Sequence, residues 1–403
     1  MTGQNRYLYG KMVALAFKAC AALSVLSSVS CAKTGLIEDS EVDTVGIYSM
    51  SFTNAGVVLQ SSTKASSSLT SGFIETTWKK YGAGSIPVME KYKVEYKTSG
   101  TAWDGTVRPY WDYTGVSGQY EKFWDLSGFP YRFHAVSPCP SDLDGFDFGS
   151  SLKIPASYKS QTCSDGVVTP SAPEPYLVAQ VQRANDGKDY DIYAGNAEID
   201  SNGNVSKTRS VALPFHHLNT KIRFGVYSTS PWVSANHIFI KDLSVQTSSS
   251  DFVTAAAGYE SNGNWQIPTG NSGFYGLTKS TASVTLMQLT GGVNDKYDLM
   301  DRQTPKTAYW LDCESGLAQI PQENVQMTVS LTLVDGSGTV KKTFTDVPVK
   351  LADDTARFNW QSGFINTYYL IINYDDERLE LEFTATLTPW EDVTGSLSTD
   401  LEK

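Results

Sequence analysis

The chain has 403 residues, which exceeds the usual size of one hydrophobic core and predicts two domains. It carries 32 Lys and Arg against 43 Asp and Glu, a net charge of -11, so no basic surface is available for a phosphate backbone and nucleic acid is not an expected partner. Only 19% of the residues are charged while 12% are aromatic, a composition that favours pleated sheets over helices and predicts an all-β protein.

Residues 1–30 have the layout of a secretory signal peptide. Arg6, Lys11 and Lys18 supply positive charge without any acidic residue, and residues 19–29 are then apolar or small. This apolar segment is too short to span a membrane. We therefore predict that residues 1–30 are removed on export.

The segment Leu26–Cys31 resembles the lipobox at which bacterial lipoproteins are cleaved and acylated, although Ser28 stands where lipoproteins prefer Leu. We predict that Cys31 becomes the acylated first residue and that residues 31–44 form a lipidated tether. The alternative is ordinary signal cleavage, which would leave Cys31 as a free thiol. An acylated Cys31 would anchor the protein in a membrane without a transmembrane helix. The run of residues 45–52 predicts a first strand.

Six Trp and Tyr residues crowd into the segment 103–124: Trp103, Tyr110, Trp111, Tyr113, Tyr120 and Trp124. Flat rings on a β-sandwich can bind sugars by stacking, and the candidates for this role are Trp103, Tyr110, Trp111 and Trp124. The alternative, which has the better odds, is that these rings fill a sandwich core and its loops.

Five cysteines occur and none lies in a C-x-x-C pair, which excludes a zinc ribbon and a thioredoxin-type motif. In an oxidising compartment Cys139 and Cys163 could form a disulfide, and closing that loop would stabilise the fold by roughly 3 kcal/mol. Cys313 would then remain as a small buried apolar residue.

Candidate metal-binding and catalytic residues are few. His216 and His217 are neighbours in a strand-like segment, so their side chains point to opposite faces and cannot ligate one metal together. No G-x-S-x-G, H-E-x-x-H or phosphate-binding glycine loop occurs, and we predict no catalytic residue, no metal and no cofactor. Two acidic groups could bind calcium, although solvated turns are the favoured interpretation: Asp142, Asp144 and Asp147, and Asp186, Asp189 and Asp191.

Period-two alternation of apolar residues predicts half-buried strands in several places. The clearest is 325–333, followed by Asp335–Gly338 and a second extended run, which predicts a hairpin. Residues 379–387 and 222–226 alternate in the same way. No segment keeps a helical stripe for three turns. The pattern predicts two β-sandwiches, over residues 45–250 and 251–403, with the boundary in the Ser/Thr-rich stretch near residue 250.

Several strands resemble sequence motifs of the fimbrillin family, specifically its branch related to minor fimbriae. The segment Val211–Val226 is similar to the family's V-x-L-x-F-x-H-L-x-x-K-I-x-F-x-V, with His217 at the motif's His. Phe129–Pro138 resembles a Y-x-F-x-A-x-x-P strand. Leu317–Gln322 resembles L-x-x-I-P-Q, and Leu387–Trp390 resembles a closing V-x-P-W. The resemblance extends over most of the chain that follows the predicted signal peptide.

The resemblance implies two transthyretin-like antiparallel β-sandwich domains in tandem and no enzymatic activity. It implies a surface-exposed lipoprotein of the cell outer membrane, inserted through its N-terminal lipid, that becomes part of a fimbrium. The partners would be other fimbrial subunits, joined when a protease removes an N-terminal strand and a neighbour's strand fills the open groove. Physically this is strand addition to unsatisfied backbone groups and an empty apolar groove.

The proposed cleavage would have to differ from that of the family's stalk subunits, which are usually cut after Arg. No Arg lies between Cys31 and Arg108, and the basic residues before Lys79 are Lys33 and Lys64, the candidate cleavage sites. Otherwise the protein is an uncut tip or anchor subunit. A second hypothesis is a surface lipoprotein that uses the aromatic residues to bind host or bacterial surface glycans or proteins. A glycoside hydrolase is a third, without a recognisable signature.

Overall fold

The computed structural model describes the following residues: 50–58, 65–67, 72–101, 107, 110–149, 151–155, 158–159, 172–173, 176–199, 205–248, 250–261, 270–311, 316–374 and 379–389. The first fourteen strands in chain order are β1 (Phe52–Val58), β2 (Ala65–Ser67), β3 (Phe73–Tyr81), β4 (Gly84–Lys97), β5 (Tyr110–Asp112), β6 (Tyr131–Ser137), β7 (Asp147–Phe148), β8 (Leu152–Pro155), β9 (Tyr158–Lys159), β10 (Ala172–Pro173), β11 (Leu177–Arg183), β12 (Asp189–Asp191), β13 (Ala197–Glu198) and β14 (Val211–His217).

The later strands are β15 (Thr220–Tyr227), β16 (Phe239–Thr247), β17 (Val253–Ala255), β18 (Gly258–Glu260), β19 (Phe274–Tyr275), β20 (Thr278–Lys279), β21 (Thr285–Thr290), β22 (Tyr309–Trp310), β23 (Leu317–Gln319), β24 (Gln322–Val325), β25 (Met327–Val334), β26 (Val340–Pro348), β27 (Phe358–Trp360), β28 (Phe364–Tyr374) and β29 (Leu379–Pro389). Helix α1 (Pro231–Asn236) and two 3-10 turns, Asp295–Tyr297 and Pro305–Thr307, are the helical segments of the described residues.

The first half of the chain forms one large sheet with strand order β2-β1-β14-β11-β6-β3-β4-β5. All neighbours along this order are antiparallel except β1 and β14, which run parallel. Alternation along β6 sends Phe133 and Ala135 to one face and His134 and Val136 to the other. Both faces of this sheet are therefore covered by packed side chains.

Each face of the large sheet has its own hydrophobic cluster. One face carries the aromatic core, which consists of Met50, Phe52, Phe73, Met89, Val94, Trp111, Tyr113, Trp124, Phe129, Tyr131, Phe133, Ala135, Leu177, Ala179, Val181, Val211, Leu213 and Phe215. The other face carries the junction core, which consists of Ile74, Val136, Phe146, Phe148, Leu152, Ile154, Tyr176, Val178, Tyr193, Leu218 and Tyr259.

The second half of the chain is a two-sheet sandwich. One sheet has the order β22-β15-β28-β29, with β23 also paired to β15, and the other has the order β21-β16-β25-β26. Met327, Val329, Leu331 and Leu333 of β25 are buried in the core that both sheets share, which confirms the predicted alternation. The fold is thus all-β with antiparallel sandwich packing, as predicted. Its transthyretin-like character stays a prediction.

Strand pairing indicates to which half of the molecule β15 and β16 belong. β15 and β16 precede residue 250, yet they pair with β28 and β25, which follow it. Only Leu218 and Asn219 separate β14 from β15. If sheet membership defines the domains, we propose that the division falls between β14 and β15 instead of near residue 250. The short strands β8 and β18 also pair across the two halves.

Each half contains one parallel strand pair within an otherwise antiparallel sheet. The first strand of the large sheet, β1, runs parallel to β14, the last one, and in the second sandwich β15 runs parallel to β28.

No helix in the described part of the chain is long and apolar enough to cross a membrane. The short helix α1 begins at Ser230, whose side chain accepts a hydrogen bond from the Val233 amide.

Candidate functional site

β1 pairs with β14 in the large sheet, and Phe52 is the residue of β1 whose side chain the structure describes. Phe52 is 7% exposed, and its ring lies 5.8 Å from the ring of Phe73, 6.0 Å from that of Tyr113 and 6.3 Å from that of Phe133. All three contacts are edge-to-face, the arrangement that aromatic quadrupoles prefer. Phe52 therefore completes the aromatic core from a strand at the start of the described chain.

Hydrogen bonds fix the beginning of β1. The Met50 amide donates to the Lys122 carbonyl (2.7 Å), and the Tyr113 hydroxyl donates to the Met50 carbonyl (3.0 Å). The Val211 amide donates to the Ser51 carbonyl (2.8 Å), and the hydroxyls of Ser51 and Ser210 lie 2.6 Å apart. The start of β1 is thus held by β14 on one side and by the loop before β6 on the other.

A buried ion-pair network lies beside this point and supports the start of β14. The Arg183 guanidinium is fully buried and donates from Nε and Nη2 to the Asp189 carboxylate at 2.6 and 2.9 Å. Its remaining donors reach the carbonyls of Lys207, Arg209 and Ser210 at 3.0, 2.6 and 3.1 Å. All five guanidinium donors are satisfied. The carbonyls of Lys207, Arg209 and Ser210 are thereby held next to the start of β14.

Sequence reasoning missed this network. Arg183 and Asp189 are directly opposite each other where β11 pairs with β12, across the turn that contains Gly187. That hairpin could have been read from the Asn185-Asp186-Gly187 turn signal. No sequence signal indicated that Arg183 and Asp189 would be fully buried. Asp189 and Asp191 are both buried, which corrects the expectation that they lie in a solvated turn.

Two of the four candidates for glycan stacking, Trp111 and Trp124, belong to the aromatic core. Trp111 is 8% exposed and lies 5.0 Å from Phe73, while Trp124 is 7% exposed and stacks on Phe129 at 5.7 Å. Sugar stacking requires an open ring face, so the stacking hypothesis does not hold for these two residues. Tyr110 is half-exposed on β5, and Trp103 lies outside the described residues; for both, glycan stacking stays a prediction.

The lipidation and cleavage candidates Cys31, Lys33 and Lys64 lie outside the described residues, and so does Cys163. Cys139 is half-buried beside the junction core, and burial raises the pKa of its thiol. The predicted disulfide between Cys139 and Cys163 stays a prediction.

The remaining acidic candidates make local hydrogen bonds. Asp142 and Asp147 accept from the backbone amides of Asp144 and Gly149 at 2.9 and 2.8 Å, the pattern of an Asx turn. Asp186 accepts from the Lys188 amide at 3.0 Å. Among the described residues, no three His, Cys, Asp or Glu side chains are grouped as metal ligands would be.

His134, His216 and His217 are packed within the large sheet, whereas His237 follows α1, is exposed, and lies 2.7 Å from the Asp298 carboxylate through Nδ1. His216 Nε2 lies 2.7 Å from the Asp191 carboxylate, and its ring stacks on Tyr193 at 4.6 Å. Burial lowers the pKa of His134 to about 3 and that of His217 to about 3, because the charged imidazolium is disfavoured away from water. Burial also raises the pKa of Glu75 well above its ordinary value, although the Thr77 hydroxyl donates to its carboxyl group at 2.9 Å.

These features define a structural β-sandwich protein in which an early strand, β1, contributes to the aromatic core of the large sheet. A family model described as fimbrillin-like matches residues 88–390. The chain therefore belongs to the fimbrillin-like family, as its motifs predicted. Proteins of this family are non-enzymatic subunits of cell-surface fimbriae, so the chain is a fimbrial or adhesion subunit and not an enzyme.

Solved structures similar to this chain share low sequence identity with it. A fimbrial protein from Bacteroides vulgatus is 12% identical, with 85% of this chain and 100% of that chain covered and a TM-score of 0.49. The tip fimbrial protein Mfa3 from Porphyromonas gingivalis, with a C-terminal truncation, is 9% identical, with 85% and 98% covered and a TM-score of 0.28. No curated protein matches the chain.

Proposed function

We propose that the protein is a fimbrial subunit exported as a lipoprotein, acylated at Cys31 and assembled at the outer-membrane surface by β-strand complementation. In this mechanism β1 is a temporary occupant of its groove. Proteolysis releases it, and a strand from a neighbouring subunit takes its place beside β14. The backbone ladder and the aromatic core would both be restored by the incoming strand.

The position and pairing of β1 carry this proposal. β1 precedes the matched region 88–390, and it contributes Phe52 to a core whose other members, apart from Met50, come from later in the chain. Losing β1 would expose one edge of β14 and open a pocket lined by Phe73, Tyr113 and Phe133. An unpaired edge next to an empty apolar pocket recruits another strand.

Chain order distinguishes the two candidate cleavage sites. Residues 59–64 join β1 to β2, so a cut after Lys64 would separate β1 from the rest of the chain. A cut after Lys33 would leave β1 covalently attached to β2. We therefore propose Lys64 as the site whose cleavage releases β1, and Lys33 as a site whose cleavage separates the chain from the acylated Cys31 and leaves β1 in place.

Limited proteolysis tests this assignment. Protein starting at Ala32 is incubated with trypsin and run on a denaturing gel without boiling, where strand-exchanged polymers should form a ladder that collapses on heating. Lys64→Ala should abolish the ladder, and the matched control Lys33→Ala should retain it. A trimmed monomer that never forms a ladder would contradict strand exchange and favour a tip or anchor position in the fimbria.

Acylation is tested separately in cells. Labelled palmitate should enter the wild-type protein and not Cys31→Ala. Equal absence of label from both proteins would defeat the proposed lipid anchor, and it would leave the proteolysis experiment unaffected because that experiment uses protein without Cys31.

A further inference from the structure

The end of the large sheet at which β1 begins carries exposed apolar side chains. Tyr81, at the end of β3, is 70% exposed, and Ile86, near the start of β4, is 36% exposed. Phe123 and Leu126, in the loop before β6, are 45% and 53% exposed, and Val205, on the segment before β14, is 48% exposed. Exposed large apolar residues grouped at one end of a molecule mark an interaction surface.

Strand register places these residues at the same end. Lys79 of β3 pairs with both Ile86 of β4 and Tyr131, the first residue of β6. Tyr131 pairs with Arg183 at the end of β11, and Phe52 pairs with Val211 where β1 and β14 begin. This end is opposite the one at which β14 continues into the second sandwich.

Direct contacts join the segments that carry these residues. The Lys79 ammonium lies 2.6 Å from the Asp125 carboxylate, and the Lys80 amide donates to the Gly128 carbonyl at 2.8 Å. The Lys207 ammonium lies 5.2 Å from the centre of the Phe129 ring. The hairpin between β3 and β4, the loop 122–129 and the segment 205–210 therefore form one surface, which we call the β1-start surface.

Lysines border the β1-start surface. Lys80 is exposed, and Lys122 and Lys207 are half-exposed. None of these three has a carboxylate at ion-pair distance within the described ranges. Apolar side chains interleaved with unneutralised lysines suit a lipid surface with anionic head groups, because the rings and aliphatic groups enter the interface while the ammonium groups stay at head-group level.

The short stretch of chain between Cys31 and Met50 also favours a lipid surface as the partner. Met50 is bound at this end through its amide, and residues 32–49 connect it to Cys31. Even fully extended, that stretch spans at most roughly 65 Å. If Cys31 is acylated as proposed above, the membrane lies within this distance of the β1-start surface, and association becomes intramolecular, so a weak affinity is sufficient.

We propose that the β1-start surface is a membrane-seating surface, which rests the end of the large sheet on anionic lipid before β1 is released. This inference depends on the proposed lipoprotein state for its setting. The affinity of the surface for lipid does not depend on the acyl group, and it can be measured on protein that lacks Cys31.

Vesicle flotation tests the proposal. Protein starting at Ala32 is mixed with vesicles of equal parts phosphatidylcholine and phosphatidylglycerol, and the fraction that floats with the vesicles is measured. We expect binding that weakens in high salt and on pure phosphatidylcholine. The double variant Phe123→Ser/Leu126→Ser should bind about tenfold more weakly. The control Val293→Ser/Val340→Ser changes two residues of the second half that are 49% and 50% exposed, and it should bind like the wild type.

Two results would overturn the proposal. One is wild-type protein that does not float with anionic vesicles, and the other is equal binding by both double variants. Sedimentation without vesicles would show whether Phe123 and Leu126 instead join two copies of the chain, in which case the surface is a subunit contact. A failed flotation experiment leaves the palmitate result intact, so the two proposals fail separately. Unchanged melting temperatures verify that both variants fold.

Discussion

At the residue scale, Arg183 and Asp189 form a fully buried charge pair. Once both charges are buried, the stability of the fold depends on keeping the pair intact. Replacing such a pair by apolar residues can be neutral, because desolvation offsets the attraction between the charges. Removing one partner alone is far more costly, because a buried charge then remains without its counter-ion. Here the Arg183 guanidinium also binds the backbone carbonyls of Lys207, Arg209 and Ser210. Its position therefore determines the backbone conformation of residues 207–210, beside the start of β1.

The first prediction concerns Asp189. Asp189→Asn should lower the free energy of unfolding by about 3–5 kcal/mol, because Arg183 would stay buried without a carboxylate. Urea denaturation measures the change. Asp186→Asn is the matched control, since Asp186 is exposed in the same turn, and it should change stability by less than about 0.5 kcal/mol. Equal effects of both variants would contradict the proposed role of the buried pair.

The second prediction concerns pH. Burial lowers the pKa of His134 to about 3, whereas in the unfolded chain the imidazole takes up a proton near its ordinary value of 6.5. Between these values the unfolded state binds more protons, so stability should fall as the pH decreases from 6.5 towards 3. His134→Gln should make this decrease shallower, as measured by urea midpoints at several pH values. An unchanged slope would show that His134 is protonated in the folded protein.

At the element scale, β1 is the strand whose contribution is easiest to isolate. Phe52→Ala removes a ring that contacts three other rings, and a buried Phe to Ala change typically costs about 3–5 kcal/mol. β1 lies near the start of the described chain, and residues 59–64 connect it to β2. Because β1 can detach while the later strands stay paired, we expect that cost to appear as local opening. Strand β25 should be unaffected.

Hydrogen exchange provides the measurement for this third prediction. The Val211 amide, which donates to Ser51, should exchange roughly a hundredfold faster or more in Phe52→Ala, while the Leu331 amide in β25 keeps its rate. Phe123→Ala, which changes a 45% exposed ring near the same strand, should leave both rates unchanged. Uniformly faster exchange in all strands would show that β1 opens only with the whole protein.

Local sequence patterns predicted many of the strands and few of their partners. Alternation in 325–333 identified β25 with its buried residues, and alternation in 379–387 identified β29. The run 45–52 predicted a first strand; residues 45–49 lie outside the described residues, Met50 and Ser51 are not in a strand, and β1 spans Phe52–Val58. The parallel pairing of β1 with β14 had no local signal, because its partners lie far apart in the chain. The same limit hid the insertion of Phe52 among rings from other strands.

At the scale of the whole molecule, the two halves are joined by packing as well as by the chain. β18, from the second half, pairs with β8, and Tyr259 is 4% exposed within the junction core. The Ser362 hydroxyl lies 2.8 and 2.6 Å from the carbonyls of His217 and Leu218, and the Gly363 amide donates to the Asn219 carbonyl at 2.8 Å. These contacts couple the stability of both halves.

The fourth prediction follows from this coupling. Scanning calorimetry of the wild type should show one unfolding transition, because the halves share the junction core. Tyr259→Ser should separate it into two transitions, since Tyr259 links the second half to strands of the first. Tyr275→Ser, which alters a 40% exposed residue of the adjoining strand β19, should retain one transition. Two transitions in the wild type would contradict coupling through the junction core.

The predicted all-β class is confirmed, and the predicted boundary near residue 250 stays a prediction. Composition and alternation were sufficient for an all-β sandwich protein, because they record which side chains face a core. A boundary depends on which strands pair with each other, and the Ser/Thr-rich stretch near residue 250 is only a loop signal. β15 and β16 lie before that stretch, but their partners come from β21, β25 and β28.

The parallel arrangement of β1 and β14 has a mechanical consequence. A pull on the chain before β1 and a pull on the chain after β14 act at opposite ends of two adjacent strands that point the same way. Tension between a membrane and the second sandwich would therefore slide the two strands lengthwise and load all the hydrogen bonds between them at once, whereas an antiparallel pair held in this way would peel apart one bond at a time. The intact chain is thus arranged to resist force along its length, and after a single cut between β1 and β2 that resistance would rest on the non-covalent contacts of β1 alone.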